Sequence, residues 1–269
     1  MKVLILAAGY GTRLARDLAE SSEYAHLIGC PKPLLPVAGK PLITYWMEML
    51  STAHVQPSDV YIIVNNFNND KFVQWKKDFP SVNLISDGST SNDTRIGAVA
   101  CIHLVVKQAN IDDSLMVIAG DTLFYQDFSL TDFIKSFNDL QVTHPRGCSL
   151  LTYYTCSDLD VHKHGILEVN GEGLVTALVE KPKPDHTNSR KACPAFYLFT
   201  KQSLPILDNF MEDNKELPVS TRDAPGNFIR YLCTRQAVSA VGTSGRYDVG
   251  GLQSYITCND NFKVTTAVS

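Results

Sequence analysis

Short, uninterrupted apolar runs recur through the first half of the chain, at residues 3–8, 60–64 and 114–119. Runs of this kind are typical of parallel strands that are buried on both faces. A further short strand is expected at 82–85. Segments that favour helices separate these strands, at about 41–53, 71–79 and 96–108, and Asp93 or Thr94 is the expected cap of the third helix. The alternation of strand and helix predicts right-handed crossovers and a mostly parallel sheet.

The second half of the chain is richer in strands. Strands are predicted at 148–156, 165–169, 174–179, 192–200 and 237–241, and helices at 203–210, at 226–232 and from about Leu252. The sequence Asn170-Gly171-Glu172-Gly173 is a strong hairpin signal between two of these strands. Residues 15–30 are polar and mixed, so we expect a lid or surface excursion there. The alternation of strands and helices predicts an α/β fold class. Because no repeat or linker interrupts the chain, we expect one domain over 1–269 with an added β-hairpin region.

The first strand ends in a loop with the sequence Gly9-Tyr10-Gly11-Thr12-Arg13. Glycines let successive backbone N–H groups face a ligand, and an arginine adds a planar cationic fork suited to phosphate. A dinucleotide-binding fingerprint is the obvious alternative, but Leu14 replaces its third glycine and the second strand ends in asparagines. The loop also lacks the Gly-Lys-Ser/Thr ending of a Walker motif. A phosphate-cradling loop fits best, and a tight turn with an exposed arginine is the alternative.

Charge and composition narrow the function classes. With 24 basic and 28 acidic residues the net charge is −4, and the absence of a basic block disfavours nucleic acid as a partner. No stretch approaches the roughly 20 apolar residues of a membrane span, and the first apolar run is too short for a secretory segment. Seven cysteines without a Cys-x-x-Cys pair favour reduced thiols and a cytoplasmic protein. Of these, Cys30 alone neighbours the candidate site.

Charged residues at the ends of predicted strands are the other candidates for chemistry. Lys32 lies between two prolines, and Asp121 follows Gly120 at the carboxyl end of a buried strand. A carboxylate beside a phosphate loop is a natural ligand for Mg²⁺, and Asp248 could supply a second one. Each residue also has an ordinary interpretation, as a surface lysine or a turn-capping aspartate.

Two further groups of residues remain open at this point. Glu180 and Lys181 end another apolar strand before Pro182, where one could contact a ligand hydroxyl and the other a phosphate. His162 and His164 have a spacing that could seat a metal, but no third ligand is evident.

Together the motifs resemble those of the sugar-1-phosphate nucleotidyltransferases, the nucleotide-sugar pyrophosphorylases. The resemblance covers nearly the whole chain and rests on five motifs in the family's order: Leu6-x-x-Gly9-x-Gly11-Thr12-Arg13-Leu14, Pro31-Lys32-Pro33-Leu34-Leu35-Pro36-Val37, Gly120-Asp121, Glu180-Lys181-Pro182 and Tyr247-Asp248-Val249-Gly250. It implies a single Rossmann-like (GT-A-like) domain, with a nucleotide-binding half at about 1–125 and a sugar-phosphate half at about 126–260. It also implies a nucleoside triphosphate and a sugar 1-phosphate as substrates, Mg²⁺ as cofactor, and pyrophosphate release.

The resemblance also implies a role for each matching position. Nucleotide-binding residues would be Ala8, Gly9, Gly11, Thr12 and, less securely matched, Gly97. Arg13 and Lys32 would grip the triphosphate as catalytic cations, and Asp121 and Asp248 would hold Mg²⁺. Lys181 would bind the phosphate of the sugar phosphate, with Glu180 and Gly165 contacting the sugar.

Departures from the family pattern concern the sugar side more than the reaction. The segment between Arg13 and Lys32 is long, Thr122 follows Asp121 where asparagine is common, and Tyr247 stands where tryptophan is frequent. No hexapeptide repeat follows, so no C-terminal β-helix domain is expected. Two alternatives are kept: a cytidylyltransferase acting on an alcohol phosphate such as phosphocholine, and a catalytically silent regulatory protein that binds nucleotide or sugar phosphate. The sequence does not determine the nucleotide base, the sugar or whether the chain forms a homo-oligomer.

Overall fold

The computed structural model describes residues 1–266, which form an α/β fold. The helices are α1 (Thr12–Ala19), α2 (Leu42–Thr52), α3 (Asn69–Trp75), α4 (Ala98–Gln108), α5 (Leu130–Thr143), α6 (Leu204–Asp213), α7 (Val219–Asp223), α8 (Pro225–Cys233) and α9 (Leu252–Thr266). The strands are β1 (Lys2–Ala7), β2 (Pro36–Val37), β3 (Lys40–Pro41), β4 (Val60–Val64), β5 (Asn83–Ser86), β6 (Leu115–Ala119), β7 (Thr122–Phe124), β8 (Cys148–Thr155), β9 (Gly165–Val169), β10 (Val175–Glu180), β11 (Lys191–Cys193), β12 (Phe196–Phe199), β13 (Ala237–Gly242) and β14 (Arg246–Asp248).

The chain divides into two compact units, each built from several segments. One, here called the glycine-loop unit, comprises Ile5–Arg95, Ala119–Asp127 and the chain from Arg246 onward. The other, the hairpin unit, comprises Met1–Leu4, Ile96–Ile118 and Phe128–Gly245.

The hairpin unit has the strand order β10-β9-β11-β8-β12-β6-β1, with β13 paired in parallel to β8. Its pairs from β10 to β6 are antiparallel. In the glycine-loop unit the strand order is β1-β4-β5, and β4 pairs with β5 in parallel. The predicted α/β fold with a hairpin region is confirmed, and the sheet is mixed. The antiparallel pairs of the hairpin unit all include strands from the second half of the chain, where consecutive strands replace the alternation of strand and helix.

Two of the strands predicted from apolar runs, β1 and β6, are buried on both faces as expected. Val3, Leu4 and Ile5 of β1 have no exposed surface, and the same holds for Leu115 to Ile118 of β6. No helix within residues 1–266 combines the length and apolar character needed to cross a bilayer.

The prediction of a surface excursion over residues 15–30 was wrong in its first part. Residues 15–19 complete α1, because Leu14 and Leu18 lie one turn apart on the same helix face and are both buried. The predicted cap of α4 was also wrong. Gly97 stands at the N-cap with φ 95°, while Ser91 and Thr94 form a capping box for the short 3₁₀ turn Asn92–Thr94.

Two further differences lie in the hairpin unit. Helix α5 was not predicted, although Ser129 caps it by accepting a hydrogen bond from the Asp132 N–H, and Leu130, Phe133 and Phe137 form its buried stripe. The single strand predicted at 192–200 is two strands, β11 and β12, which both pair with β8 and have β9 and β6 respectively as their second neighbours. Pro194 separates them, since proline cannot donate to a ladder.

Candidate active site

The glycine loop is held by a buried amide. The Asn65 Nδ2 at the end of β4 donates to the Ala8 carbonyl oxygen at 2.9 Å, and its Oδ1 accepts the Asn68 N–H at 2.8 Å. Asn65 has no exposed surface, so both hydrogen bonds are shielded from water. The sequence analysis considered Asn65 only because a dinucleotide-binding site would have an acidic residue at the end of this strand. Its role in fixing the loop had no sequence signal of its own.

The loop leads into a helix whose first turn is open to an anion. Gly11 adopts φ 62°, a left-handed conformation that suits glycine, and begins α1 without a side-chain cap. The first turn carries no acidic residue, and Thr12 is exposed. Gly9 is exposed, and a Cβ at that position would meet no atom within 4 Å. Free N–H groups at a helix start and open space beside the loop suit a phosphate group.

Arg13 projects from the first turn of α1. It is exposed and forms no ion pair with any described residue. Its Nη1 lies 3.3 Å from the place a Cβ would take on Gly250, two residues after Asp248. The sequence-predicted cation therefore reaches the segment that follows the second predicted carboxylate.

Lys32 and Asp121 form an ion pair within the glycine-loop unit. The Lys32 Nζ lies 3.0 Å from Asp121 Oδ2, and the two side chains are 20% and 32% exposed. Lys32 also lines a small cavity of about 120 Å³, together with Gly11, Leu14 and Phe67. A cation in this position neutralises the carboxylate and borders the start of α1.

The backbone brings the two predicted metal-binding carboxylates together. β7 and β14 pair antiparallel with Asp248 opposite Thr122, and the Val249 N–H donates to the Asp121 carbonyl oxygen at 2.9 Å. Asp248 is 47% exposed, and its Oδ2 accepts from Arg246 Nη2 at 3.0 Å. Within residues 1–266 no group of three or more His, Cys, Asp or Glu side chains could enclose a metal ion. Two neighbouring carboxylates suit Mg²⁺, because that ion takes few protein oxygens and completes its shell with water and phosphate.

The predicted sugar-side residues lie together in the hairpin unit. Glu180 stands opposite Gly165 in the β9–β10 ladder. Lys181, the next residue, is exposed and adopts φ 46°, which is uncommon for a residue other than glycine. Its N–H donates to the His164 carbonyl oxygen at 2.9 Å, so the chain bends sharply after Glu180.

Burial shapes the electrostatics of Glu180. It raises the pKa of the carboxyl above its ordinary range, and the opposing effects are the nearby charge of Lys181, a hydrogen bond from the Gly226 N–H and the charge of Arg230. Gly226 lies in the first turn of α8. Sequence reasoning missed this partner, which is 46 positions away and carries no motif.

The remaining candidates differ in their surroundings. Gly97 is buried at the start of α4, and α7 packs against that helix. The Nε of Arg222 in α7 is buried and has no hydrogen-bond partner within the described chain. The alternative metal site at His162 and His164 gains no third ligand among the described residues. The Cys30 thiol has a pKa raised by burial, against the opposing charge of Lys71.

Comparison with known proteins gives a family and a fold. The nucleotidyl transferase family model matches residues 2–264. A glucose-1-phosphate thymidylyltransferase of Mycobacterium tuberculosis is 27% identical over 206 residues, which are 77% of this chain and 63% of that protein. The bifunctional protein GlmU of Methanocaldococcus jannaschii is 24% identical over 251 residues, or 93% of this chain and 51% of its own. The chain therefore spans little more than half the length of these relatives.

Solved structures share the architecture at low identity. The apo form of a UDP-glucose pyrophosphorylase has a TM-score of 0.74 at 20% identity and covers 99% of both chains. A UTP-bound UGPase from Acinetobacter baumannii has a TM-score of 0.70 at 18% identity and covers 98% of this chain and 93% of its own. At such identities the likeness establishes the fold.

Proposed function

The chain belongs to the nucleotidyl transferase family, and we propose that it joins a nucleoside triphosphate to a sugar 1-phosphate. An oxygen of the sugar phosphate attacks the α-phosphorus, and the bond from that phosphorus to the bridging oxygen of the β-phosphate breaks. The products are a nucleoside-diphosphate sugar and pyrophosphate. The observation that carries this proposal is the Lys32–Asp121 ion pair, which lies beside the open first turn of α1 and next to the Asp248 loop.

The main obstacle to this reaction is electrostatic repulsion. The nucleophile is already an anion at neutral pH, so no general base is needed. Each pair of like charges about 4 Å apart costs roughly 1 kcal/mol in water and roughly 4 kcal/mol at an effective dielectric constant of 20. Placed cations lower this cost and stabilise charge that develops in the transition state. Arg13 and Lys32 supply such cations for the triphosphate, and Lys181 supplies one for the sugar phosphate.

The other candidate residues bind the substrates in this proposal. Backbone groups of Ala8, Gly9 and Gly11, together with Thr12, line the nucleotide and its phosphates, and Gly97 borders the nucleotide. Gly165 and Glu180 contact the sugar.

Asp121 and Asp248 are the residues that would hold Mg²⁺. Their hard oxygen donors lie on paired strands, joined by the Val249 hydrogen bond to the Asp121 backbone. When bound, the ion supplies positive charge that neutralises the phosphate oxygens. Lys32 pairs with Asp121 and so competes with a metal ion for that carboxylate.

The name of the glucose-1-phosphate thymidylyltransferase relative favours a sugar 1-phosphate over an alcohol phosphate such as phosphocholine. A catalytically silent regulatory protein would be expected to lose charged site residues, and this chain keeps three cations and two carboxylates. None of the seven cysteines, all of which lie in the described part of the chain, forms a disulfide. That supports a reducing compartment, and we propose a cytoplasmic location.

Pyrophosphate release tests the proposal. Purified protein is incubated with Mg²⁺, each of the common nucleoside triphosphates and a panel of sugar 1-phosphates and alcohol phosphates. We expect turnover with at least one sugar 1-phosphate. Asp121→Asn and Lys181→Ala should each lower kcat/KM by about 100-fold or more, whereas Asp70→Asn, an exposed aspartate of α3, should not. Nucleotide binding without turnover in any pairing would favour the regulatory protein instead.

A further inference from the structure

The Glu180 carboxylate is seated against the first turn of α8. Its Oε1 closely approaches the backbone of Gly226, which is the second residue of α8 because that helix begins at Pro225. A carboxylate in this position interacts favourably with the helix dipole. The contact joins the end of β10 to α8 within the hairpin unit.

Glu180 can approach α8 this closely only because residue 226 has no side chain. A Cβ on Gly226 would lie 1.8 Å from Glu180 Oε1 and 2.7 Å from Leu178 Cδ2. The same Oε1 lies 3.4 Å from the place of a Cβ on Gly165, the residue opposite Glu180 in the ladder. The close approach of the carboxylate therefore requires a glycine at position 226.

We infer that Gly226 is a positioning residue for the sugar side, holding Oε1 of Glu180 so that Oε2 can accept a hydrogen bond from a sugar hydroxyl. This inference rests on the proposed function, in which Glu180 contacts the sugar. Glu180 forms no side-chain hydrogen bond with another side chain in the described chain, so Oε2 has no competing donor of that kind. Lys181 and Arg230 are the charged groups near it.

The variant Gly226→Ala displaces Glu180 without removing it. The three atoms that a Cβ would meet all belong to the outer parts of the flexible side chains of Glu180 and Leu178, so the fold can adapt by moving them. We expect KM for the sugar 1-phosphate to rise by about 10- to 100-fold, the effect of losing a hydrogen bond to a charged group, with KM for the triphosphate unchanged. Gly171→Ala is the control, because that hairpin residue is exposed and a Cβ there would meet nothing within 4 Å.

A double-mutant cycle separates positioning from a general effect on folding. In a Glu180→Ala background, Gly226→Ala should add less than about twofold to the sugar-phosphate KM. Thermal unfolding supplies a measurement that needs no turnover. Gly226→Ala should lower the midpoint more when Glu180 is present than when residue 180 is alanine, where Leu178 Cδ2 is the close neighbour that remains.

The two proposals fail in different ways. If the enzyme turns over and Gly226→Ala leaves the sugar-phosphate KM unchanged, or raises it equally in both backgrounds, the positioning role is wrong. If the two substitutions shift the unfolding midpoint additively, Glu180 and Gly226 are not in contact. Absence of turnover with every substrate pair would overturn the proposed function while leaving the unfolding cycle interpretable.

Discussion

The Lys32 Nζ lies 3.0 Å from Asp121 Oδ2, although the two residues are separated by 89 positions. The ion pair joins the proline-flanked segment to the end of β6. Both side chains retain exposed surface, so an incoming phosphate or metal ion can compete for either partner. Lys32 can therefore act on the triphosphate, and its charge also competes with Mg²⁺ for Asp121.

Lys32→Met should separate these two roles. Without the ammonium, Asp121 keeps its full negative charge toward a divalent ion, so Mn²⁺, used as a probe for Mg²⁺, should bind at least as tightly as to the wild type. Turnover should fall by about 100-fold or more because a cation is lost from the transition state. Mn²⁺ titration followed by electron paramagnetic resonance, together with pyrophosphate release, measures both. Lys77→Met, at an exposed lysine, is the matched control; weaker Mn²⁺ binding in Lys32→Met would show that Lys32 builds the metal site.

The shape of the Arg13 side chain should matter as much as its charge. Arg13→Lys keeps one positive charge but removes the planar fork that can bind two phosphate oxygens at once. We expect kcat/KM to fall by about 10- to 100-fold, the equivalent of one hydrogen bond to a charged group. Arg16→Lys, on the same helix with a 70% exposed side chain, should leave the rate unchanged. Equal effects at the two positions would assign Arg13 to the stability of α1 instead.

Local sequence patterns predicted most of the fold because they report burial along a single element. The apolar runs of β1, β4 and β6 are visible without knowledge of their neighbours. Helix α1 was shortened because its buried stripe begins at Leu14, inside the phosphate-loop motif, and the pattern was examined from residue 15 onward. Helix α5 was missed although Ser129 and the spacing of Leu130, Phe133 and Phe137 carry the signal.

The candidate site was less predictable, since its contacts join distant positions. Motifs identified Lys32 and Asp121 separately, but their ion pair depends on how the chain folds. Gly226 carries no motif and acquires a role only when β10 ends against α8. The left-handed conformation of Lys181 was not predictable either, because a following proline favours an extended backbone at the residue before it.

Substitutions at Lys181 should separate backbone strain from chemistry. At φ 46° a residue with a Cβ is strained by about 1–2 kcal/mol relative to glycine. Lys181→Gly and Lys181→Ala both remove the ammonium, so both should weaken sugar 1-phosphate binding to the same extent. The glycine variant should be more stable than the alanine variant by about 1 kcal/mol in chemical denaturation. Equal stability would mean that the left-handed conformation is not kept in solution.

The buried carboxyl of Glu180 should make stability depend on pH. Its pKa is raised in the folded protein by burial, so between the ordinary glutamate value of about 4.3 and the raised value the folded state binds more protons than the unfolded state. The free energy of unfolding should therefore fall as pH rises through this window. Glutamine at position 180 cannot ionise, so Glu180→Gln should not show this pH-dependent loss of stability. Other carboxyl groups with shifted pKa values, such as Asp113 and Asp160, titrate in both proteins, so their contributions cancel in the comparison. Denaturation of wild type and Glu180→Gln from pH 4 to pH 8 should show the variant gaining relative stability as pH rises, then a plateau. A difference that is constant with pH, or that changes in the opposite direction, would mean that the Gly226 N–H and the charges of Lys181 and Arg230 outweigh the burial.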